Sequence, residues 1–386
     1  MKRSLKMERE IMEKSGIVPP ARIEKLIGKC KRKLDLDLSG LVVLTEAASG
    51  NYIVTPLVAA VAGAAEIIAV AKDSEYGKAD EVAESLLLLA SRFGIEKDRI
   101  KIIKSLSPER IGEADIVTNL GFVRPINKQF ISKLKQTAVI PLMYETWEFR
   151  EEDLDLCKCW RNEIPVLGTN EQHKDLRIFD YIGHLCMKIL FESEIEVFRS
   201  KIALVGDNRF GRNIVKTLSS AGSDVVWATN KAAKEVGRSG GRRMGIELGK
   251  RNVQRSLIDC DAIIINTYPN RNVVIGESGS ISAKRLSELA PGATIIQLNG
   301  VIERASLQEH GFICLPVAEP KLGHMGWTLA NLGPKPLIAL LSGGLKVGEL
   351  LARARLKSLN RIEAEHEALK NNICQDFSPL QRKKYG

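Results

Sequence analysis

The chain has 386 residues, 44% of them hydrophobic and 27% charged, which suits two folded domains and excludes an intrinsically disordered protein. No apolar run reaches the roughly 20 residues that cross a bilayer, and the charged start lacks the apolar segment of a secretory signal, so we predict a cytoplasmic protein without a membrane partner. The net charge of +10 lies mainly in residues 1–38 and 345–386. Both signs mix there at helical spacing and no nucleic-acid-binding module occurs, so nucleic acid is not an expected partner.

Residues 1–38 are typical of helices interrupted by Pro19 and Pro20, and we predict an N-terminal helical extension. From Leu41 on, short apolar runs alternate with helical stretches, a succession typical of right-handed crossovers and a parallel sheet covered on both faces. These runs are Leu41–Leu44, Ile67–Val70, Ile100–Ile103, Ile116–Val117, Ala138–Ile140 and Val166–Leu167. We predict a flavodoxin-like substrate domain over 39–197, ending in an interdomain helix from about Asp175 to Ser193.

The seven cysteines are scattered along the chain. Cys157 and Cys159 form a C-x-C pair, but no second pair or nearby histidine completes a zinc-binding set. We therefore predict reduced thiols and no metal site.

A second series of apolar runs follows the interdomain helix. Its members are Ile202–Val205, Val225–Trp227, Ala262–Ile265, Thr294–Ile296 and Phe312–Leu315. They predict a Rossmann-type dinucleotide-binding domain over 198–325, followed by a return helix and C-terminal helical tail over 326–386. The predicted fold class is α/β, with two doubly wound parallel-sheet domains and basic helical extensions at both termini.

A glycine-rich turn follows the first strand of the second domain. The stretch Gly206-Asp207-Asn208-Arg209-Phe210-Gly211 is a G-x-G-x-x-G arrangement whose middle glycine is Asn208. In that motif the glycines permit a tight turn, close approach to a pyrophosphate and packing of the helix on the strand, and the helix N-terminus attracts phosphate. Asn tolerates unusual backbone angles, so we predict that all six residues contribute to binding NAD or NADP. The alternative is a Rossmann-shaped domain that has lost its cofactor site.

The second strand of this domain lacks the acidic residue that binds a ribose hydroxyl in the fingerprint. Asn230 and Lys231 follow that strand, and a basic loop at 237–243 lies nearby. A lysine there can accept a 2′-phosphate, so NADP is expected to bind at least as well as NAD.

Four segments follow the later strands in a recognisable order: Thr267–Pro269, Ile295–Gly300, Pro316–Pro320 and Gly323–Trp327. Their order resembles the D-isomer-specific 2-hydroxyacid dehydrogenases and, more distantly, the S-adenosylhomocysteine hydrolases, over about 165–345. The resemblance implies that His324 is the proton donor, that Glu319 tunes it, and that Thr267 and Asn299 lie at the cofactor. The family's substrate-binding arginine falls on Asn299, which cannot form a charged fork with a carboxylate.

Polar side chains also follow the strands of the first domain, where ligands of parallel sheets bind. The residues that we assign to the substrate are Thr45, Glu46, Ser49, Asn51, Asn119, Arg124 and Asn170. Arg124 is expected to hold an anionic group in place of the missing family arginine. Glu145 and His173 are alternative acid/base residues, with Glu171 or Glu145 orienting the histidine.

These assignments predict an NAD(P)-dependent oxidoreductase that acts on a small polar, anionic metabolite. The altered glycine turn leaves two alternatives: a non-redox hydrolase, lyase or transferase on the same scaffold, and a catalytically silent nucleotide-binding protein. This architecture commonly dimerises, so we expect a homodimer.

Overall fold

The computed structural model describes residues 19–321 and 324–385. The chain divides into two compact units. Unit 1 combines the described residues up to Ile178 with those from Gly333 onward, and unit 2 spans Phe179–Leu332. The sequence suggested divisions after residues 197 and 325. The helix that we expected to end the first domain lies in unit 2, and the C-terminal residues return to unit 1.

The strands of both units are short, as alternating α/β sequences predict. In chain order they are β1 Val42–Glu46, β2 Glu66–Val70, β3 Ile100–Ile103, β4 Ile116–Val117, β5 Ile140–Pro141, β6 Val166–Thr169, β7 Lys201–Val205, β8 Asp224–Ala228, β9 Arg242–Met244, β10 Ala262–Asn266, β11 Thr294–Asn299, β12 Ile313–Leu315 and β13 Cys374–Gln375. The helices are α1 Pro20–Leu34, α2 Val54–Val61, α3 Ala79–Arg92, α4 Pro108–Glu113, α5 Lys128–Ile131, α6 Leu156–Arg161, α7 Ile182–Glu192, α8 Gly211–Ser220, α9 Ala233–Arg238, α10 Arg251–Gln254, α11 Ala283–Leu289, α12 Arg304–Glu309, α13 Pro334–Leu356, α14 Arg361–Leu369 and α15 Pro379–Tyr385.

The sheet of unit 1 has the order β3-β2-β1-β4, and β5 and β6 continue it. A parallel bridge between Ile116 and Val139 joins β4 to the residues before β5. This succession matches the 3-2-1-4-5-6 order of dinucleotide-binding domains and differs from the flavodoxin-like order 2-1-3-4-5 that we expected. Apolar runs give the succession of strands along the chain but not the position where each one inserts. The antiparallel β13 pairs with β6 at the edge.

The helical extensions at both ends of the chain pack in unit 1. Helix α1 buries Ile23, Ile27 and Leu34 and contacts α13. Helix α13 carries glycines where it meets the sheet: a Cβ on Gly344 would lie 2.5 Å from the Met143 sulfur, and one on Gly348 would lie 2.7 Å from Ile116. The absence of these side chains lets the helix lie close to the strand ends of the sheet.

Unit 2 contains one six-stranded parallel sheet in the order β12-β11-β10-β7-β8-β9. Renumbered from its first strand, this is the Rossmann order 3-2-1-4-5-6, and the predicted Rossmann-type domain is confirmed. The central strands β7 and β10 are almost wholly buried, as expected for strands covered on both faces. The order reverses between β7 and β10, the point where ligands of such sheets bind.

Among the described residues, no helix is both long enough and apolar enough to cross a membrane. Within the same ranges, no three His, Cys, Asp or Glu side chains lie together as metal ligands would.

Candidate functional site

The turn after β7 needs both of its glycines. Gly206 has a φ of 135°, and a Cβ there would lie 1.9 Å from the carbonyl oxygen of Asn266. A Cβ on Gly211 would lie 2.4 Å from the ring of Trp227, whose Nε1–H donates to the Gly206 carbonyl at 2.8 Å. The first glycine therefore lets β7 and β10 run side by side at the switch point, and the last lets α8 pack on β8.

Three asparagines form a hydrogen-bonded chain across the carboxyl ends of β7, β10 and β11. Asn208 and Asn266 exchange amide hydrogen bonds at 2.6 Å, and Asn299 donates to Asn266 at 2.8 Å. The Asn208 side chain also accepts from the Phe210 N–H at 3.0 Å. The side chain that replaces the middle glycine is thus held against the strand ends by Asn266, a residue that the sequence did not single out.

An acidic side chain does reach the end of β8, but it comes from the glycine turn. The carboxylate of Asp207 accepts from the Asn230 N–H at 2.8 Å and from the Asn230 side chain at 2.6 Å, and Thr229 also donates to it. Lys231 lies beside this group, with its ammonium 3.3 Å from Glu235. The predicted cofactor residues Asp207, Asn230 and Lys231 therefore come together at one strand end.

Thr267 follows β10 and carries an unsatisfied hydroxyl. Its Oγ1 is buried and has no hydrogen-bond partner in the part of the chain that the structure describes. Gly300, with a φ of 105°, packs against it: a Cβ there would lie 2.1 Å from that oxygen. Buried hydroxyls are normally satisfied, so this one is a candidate ligand contact at the switch point.

The other catalytic candidates of unit 2 lie in the loop after β12. Glu319 and His324 are both exposed, and the backbone N–H of His324 donates to the Lys321 carbonyl at 2.9 Å. The sequence did not single out Arg304, whose guanidinium donates to Gln297 at 2.9 Å and to the Pro316 carbonyl at 2.7 Å. Its remaining nitrogen, Nη2, is buried without a hydrogen-bond partner among residues 19–321 and 324–385. Arg304 thus places a cation beside Gln297 of β11 and the loop after β12.

In unit 1, buried polar side chains lie at the ends of four neighbouring strands. They are Glu46, the last residue of β1, Asn119 after β4, Glu145 after β5 and Glu171 after β6, and we call these four residues the strand-end row. Glu46 accepts from the Phe122 N–H at 3.0 Å, and Glu145 accepts from the Trp147 indole at 2.7 Å. Burial raises the pKa of Glu46. Burial, together with the carboxylates of Glu148 and Glu145, raises the pKa of Glu171 well above its ordinary value.

Arg124 does not offer the free cation that we expected for an anionic substrate. Its Nη1 lies 3.0 Å from the carboxylate of Asp153, and its Nε donates to the Asn119 carbonyl at 2.5 Å. The guanidinium also lies over the Tyr144 ring, 5.6 Å from its centroid. Asp153 therefore neutralises the arginine charge that was expected to bind the substrate. The two residues are 29 positions apart, and loop composition alone does not predict their contact.

His173 is buried in unit 1, with 7% of its surface exposed. Its Nδ1 accepts from the Asp175 N–H at 3.3 Å and lies 3.9 Å from the carboxylate of Asp175. This contact places the proton of the neutral ring on Nε2. Asp175 therefore orients this ring, and an orienting role of Glu145 or Glu171 stays a prediction.

Two of the predicted substrate residues have structural partners instead. The Thr45 hydroxyl accepts from Thr118 at 2.9 Å between buried strands. Asn170 donates its amide to the Asn372 carbonyl at 2.8 Å, next to β13. Ser49 and Asn51 lie half-buried at the 3-10 turn that precedes α2.

No protein-family model matches the sequence, and no curated protein matches it significantly. Solved structures do match. A dipicolinate synthase structure from Bacillus halodurans is 12% identical, with a TM-score of 0.52 over 79% of this chain and 96% of that one. A dipicolinate synthase structure from Bacillus subtilis is 14% identical, with a TM-score of 0.53 over 84% and 99%. D-lactate dehydrogenase with NAD+ from Lactobacillus jensenii is 14% identical, with a TM-score of 0.44 over 81% and 97%. At these identities the likeness to the two dipicolinate synthase structures shows the fold alone, and the predicted two-domain α/β fold with a Rossmann-type domain is confirmed at that level.

Proposed function

We propose that the protein is an NAD(P)-dependent oxidoreductase that acts on a small polar metabolite. The observation that carries this proposal is the glycine turn at the switch point of unit 2, where the turn Gly206–Phe210 leads from β7 into the N-terminus of α8 and the unsatisfied Thr267 hydroxyl follows the neighbouring strand β10. Helix N-termini at this position attract pyrophosphate. A cytoplasmic location and a homodimeric assembly are part of the proposal.

The turn after β7 supports the assignment through its backbone packing. Gly206 and Gly211 let the turn lie against β10 and β8, where a Cβ would come within 1.9 Å of Asn266 or 2.4 Å of Trp227, and Asn208 is held against Asn266 at 2.6 Å. The residues that would hold the dinucleotide are Gly206, Asp207, Asn208, Arg209, Phe210, Gly211, Asn230, Lys231, Thr267 and Asn299. When bound, the nicotinamide ring supplies or accepts a hydride.

Cofactor binding is tested by titrating the full chain with NAD, NADP and their reduced forms in calorimetry. We expect binding, with NADP at least as tight as NAD, because Lys231 follows Asn230 at the end of β8, where its ammonium can offset the Asp207 carboxylate. Lys231→Ala should weaken NADP selectively, whereas Lys250→Ala, which removes an exposed lysine paired with Glu247, should change neither affinity. No binding of any of the four nucleotides would overturn the proposed cofactor and favour the non-redox alternative, and a strong NAD preference would contradict the role of Lys231.

Proton transfer is assigned to histidine, since a group with a pKa near neutrality suits that task. His324 is the donor that we propose in unit 2, with Glu319 on the same loop. His173 is the alternative in unit 1, because its tautomer is fixed by Asp175 at 3.3 Å, and Glu145 is a further acid/base group there.

If one histidine is the acid/base group, His324→Gln or His173→Gln should lower turnover by about 10²-fold or more while leaving dinucleotide affinity nearly unchanged. The measurement is steady-state kinetics with a substrate found by screening, together with calorimetry of cofactor binding. His366→Gln, on α14, is the control and should behave as wild type. Full turnover in both variants would remove histidine from the mechanism.

A further inference from the structure

The strand-end row brings buried polar groups together at one edge of the unit 1 sheet. Glu46, Asn119, Glu145 and Glu171 are between 0% and 6% exposed. Their strands are direct neighbours, since β1 pairs with β4, Ile116 bridges to Val139, and β5 pairs with β6. Ligands of parallel sheets collect at this edge, so the row occupies a binding position within its own unit.

The electrostatics of the row favour a positively charged ligand. The charged groups that act on Glu171 are the carboxylates of Glu148 and Glu145, and both oppose its ionisation. Glu46 has Arg124 nearby, but Asp153 holds that guanidinium at 3.0 Å. Buried carboxylates are costly unless a cation or several donors compensate them, so an incoming cation would lower the free energy of this edge.

Asn119 provides a separate sign of a ligand. It is wholly buried, and its Oδ1 accepts from the Met143 N–H at 2.8 Å. Its Nδ2 has no hydrogen-bond partner within the described ranges. Buried amide donors are rarely left unsatisfied, and Asn119 stands between Glu46 and Glu145 in the strand order. An acceptor atom of a ligand would complete it.

We propose that the strand-end row binds a small ligand that carries a primary ammonium group, with the ammonium against the carboxyls of Glu145 and Glu171 and a hydrogen-bond acceptor against Asn119. An ammonium offers three donors to the carboxyls. The inference rests on the proposed function only in taking this ligand as the enzyme's substrate, and it replaces the anionic metabolite expected from Arg124.

The test uses three ligands of the same length that differ in the charge of one end: 4-aminobutan-1-ol, butane-1,4-diol and 4-hydroxybutanoate. Each is titrated into the full chain without dinucleotide, at constant ionic strength, and the melting temperature is recorded. We expect 4-aminobutan-1-ol to stabilise the protein in a saturable manner and the other two to have little effect. Equal stabilisation by the diol or the anion would overturn the proposal.

Glu171→Gln should weaken the binding of 4-aminobutan-1-ol by about tenfold or more, because it removes a carboxyl that can ionise when the ammonium binds against it. Asp98→Asn is the matched control, since that carboxylate of the same unit is 97% exposed, and it should bind as wild type does. Unchanged binding by Glu171→Gln would also overturn the proposal. The amine is titrated without dinucleotide, so the two proposals are tested separately. Binding of the amine without binding of NAD(P) would support this inference and contradict the proposed function. Binding of NAD(P) without binding of the amine would contradict this inference and leave the proposed function standing.

Discussion

Replacing Gly206 with alanine is expected to destabilise unit 2 by about 3 kcal/mol or more. The new Cβ would lie 1.9 Å from the Asn266 carbonyl oxygen, which belongs to the neighbouring strand β10 and cannot rotate away. The φ of 135° is also one that side-chain-bearing residues rarely adopt. Hydrogen exchange of peptides from β7 and α8 would measure the loss of protection directly.

The control for this prediction is Gly237→Ala in α9. A Cβ there meets no atom within 4 Å, and alanine has the higher helix propensity, so we expect stability to stay the same or rise by about 0.5–1 kcal/mol. Equal loss of protection in both variants would mean that the turn after β7 is not a special position. That outcome would also remove the geometric basis of the cofactor site.

Glu171→Gln is expected to raise the melting temperature at neutral and alkaline pH. The pKa of Glu171 lies well above its ordinary value of 4.5, because of burial and the nearby Glu148 and Glu145. A carboxyl with a raised pKa in the folded state stabilises fully below its unfolded pKa, and that contribution is lost as the pH rises toward the folded pKa. The amide does not ionise, so the variant avoids this loss.

The gain should be absent near pH 4 and should grow above pH 4.5. The gain should increase with pH until the pH passes the folded pKa of Glu171, because the wild-type carboxyl loses its stabilising contribution over that range. Thermal unfolding across pH 4–8 provides the measurement, with Asp98→Asn as the exposed control. A variant that is less stable than wild type at pH 8 would show that ionised Glu171 supports the fold.

A Glu171→Gln variant that is more stable than wild type but binds the amine less well would behave as expected of a substitution in a functional site.

The elements that depend on local pattern could be predicted from the sequence. The run Ile202–Val205 became β7, and Gly206 and Gly211 took the positions that the fingerprint gives them. The order of strands in unit 1 could not be predicted, because hydrophobic runs carry no information about which neighbour a strand joins.

The parts of the candidate site that sequence reasoning missed are contacts between distant strand ends. Asn208 and Asn266 are 58 positions apart, and only the switch from β7 to β10 brings their amides together. The pairing of Arg124 with Asp153 and the approach of Glu148 to Glu171 have the same origin. Each of these contacts is set by the order of strands in the sheet. The type of a residue therefore indicated which chemistry it could perform, but not which residue it would contact.

The discontinuity of unit 1 determines the order in which the nascent chain can fold. Unit 2 is one continuous stretch and can fold once Leu332 has left the ribosome. Unit 1 must wait for α13 and β13: Asn170 reaches its partner Asn372 only 202 positions later, a delay of about 10–40 s at typical rates of synthesis. During that interval Ile116 of β4 and Pro141 of β5 lack the glycine-lined face of α13 that packs against them in the folded unit.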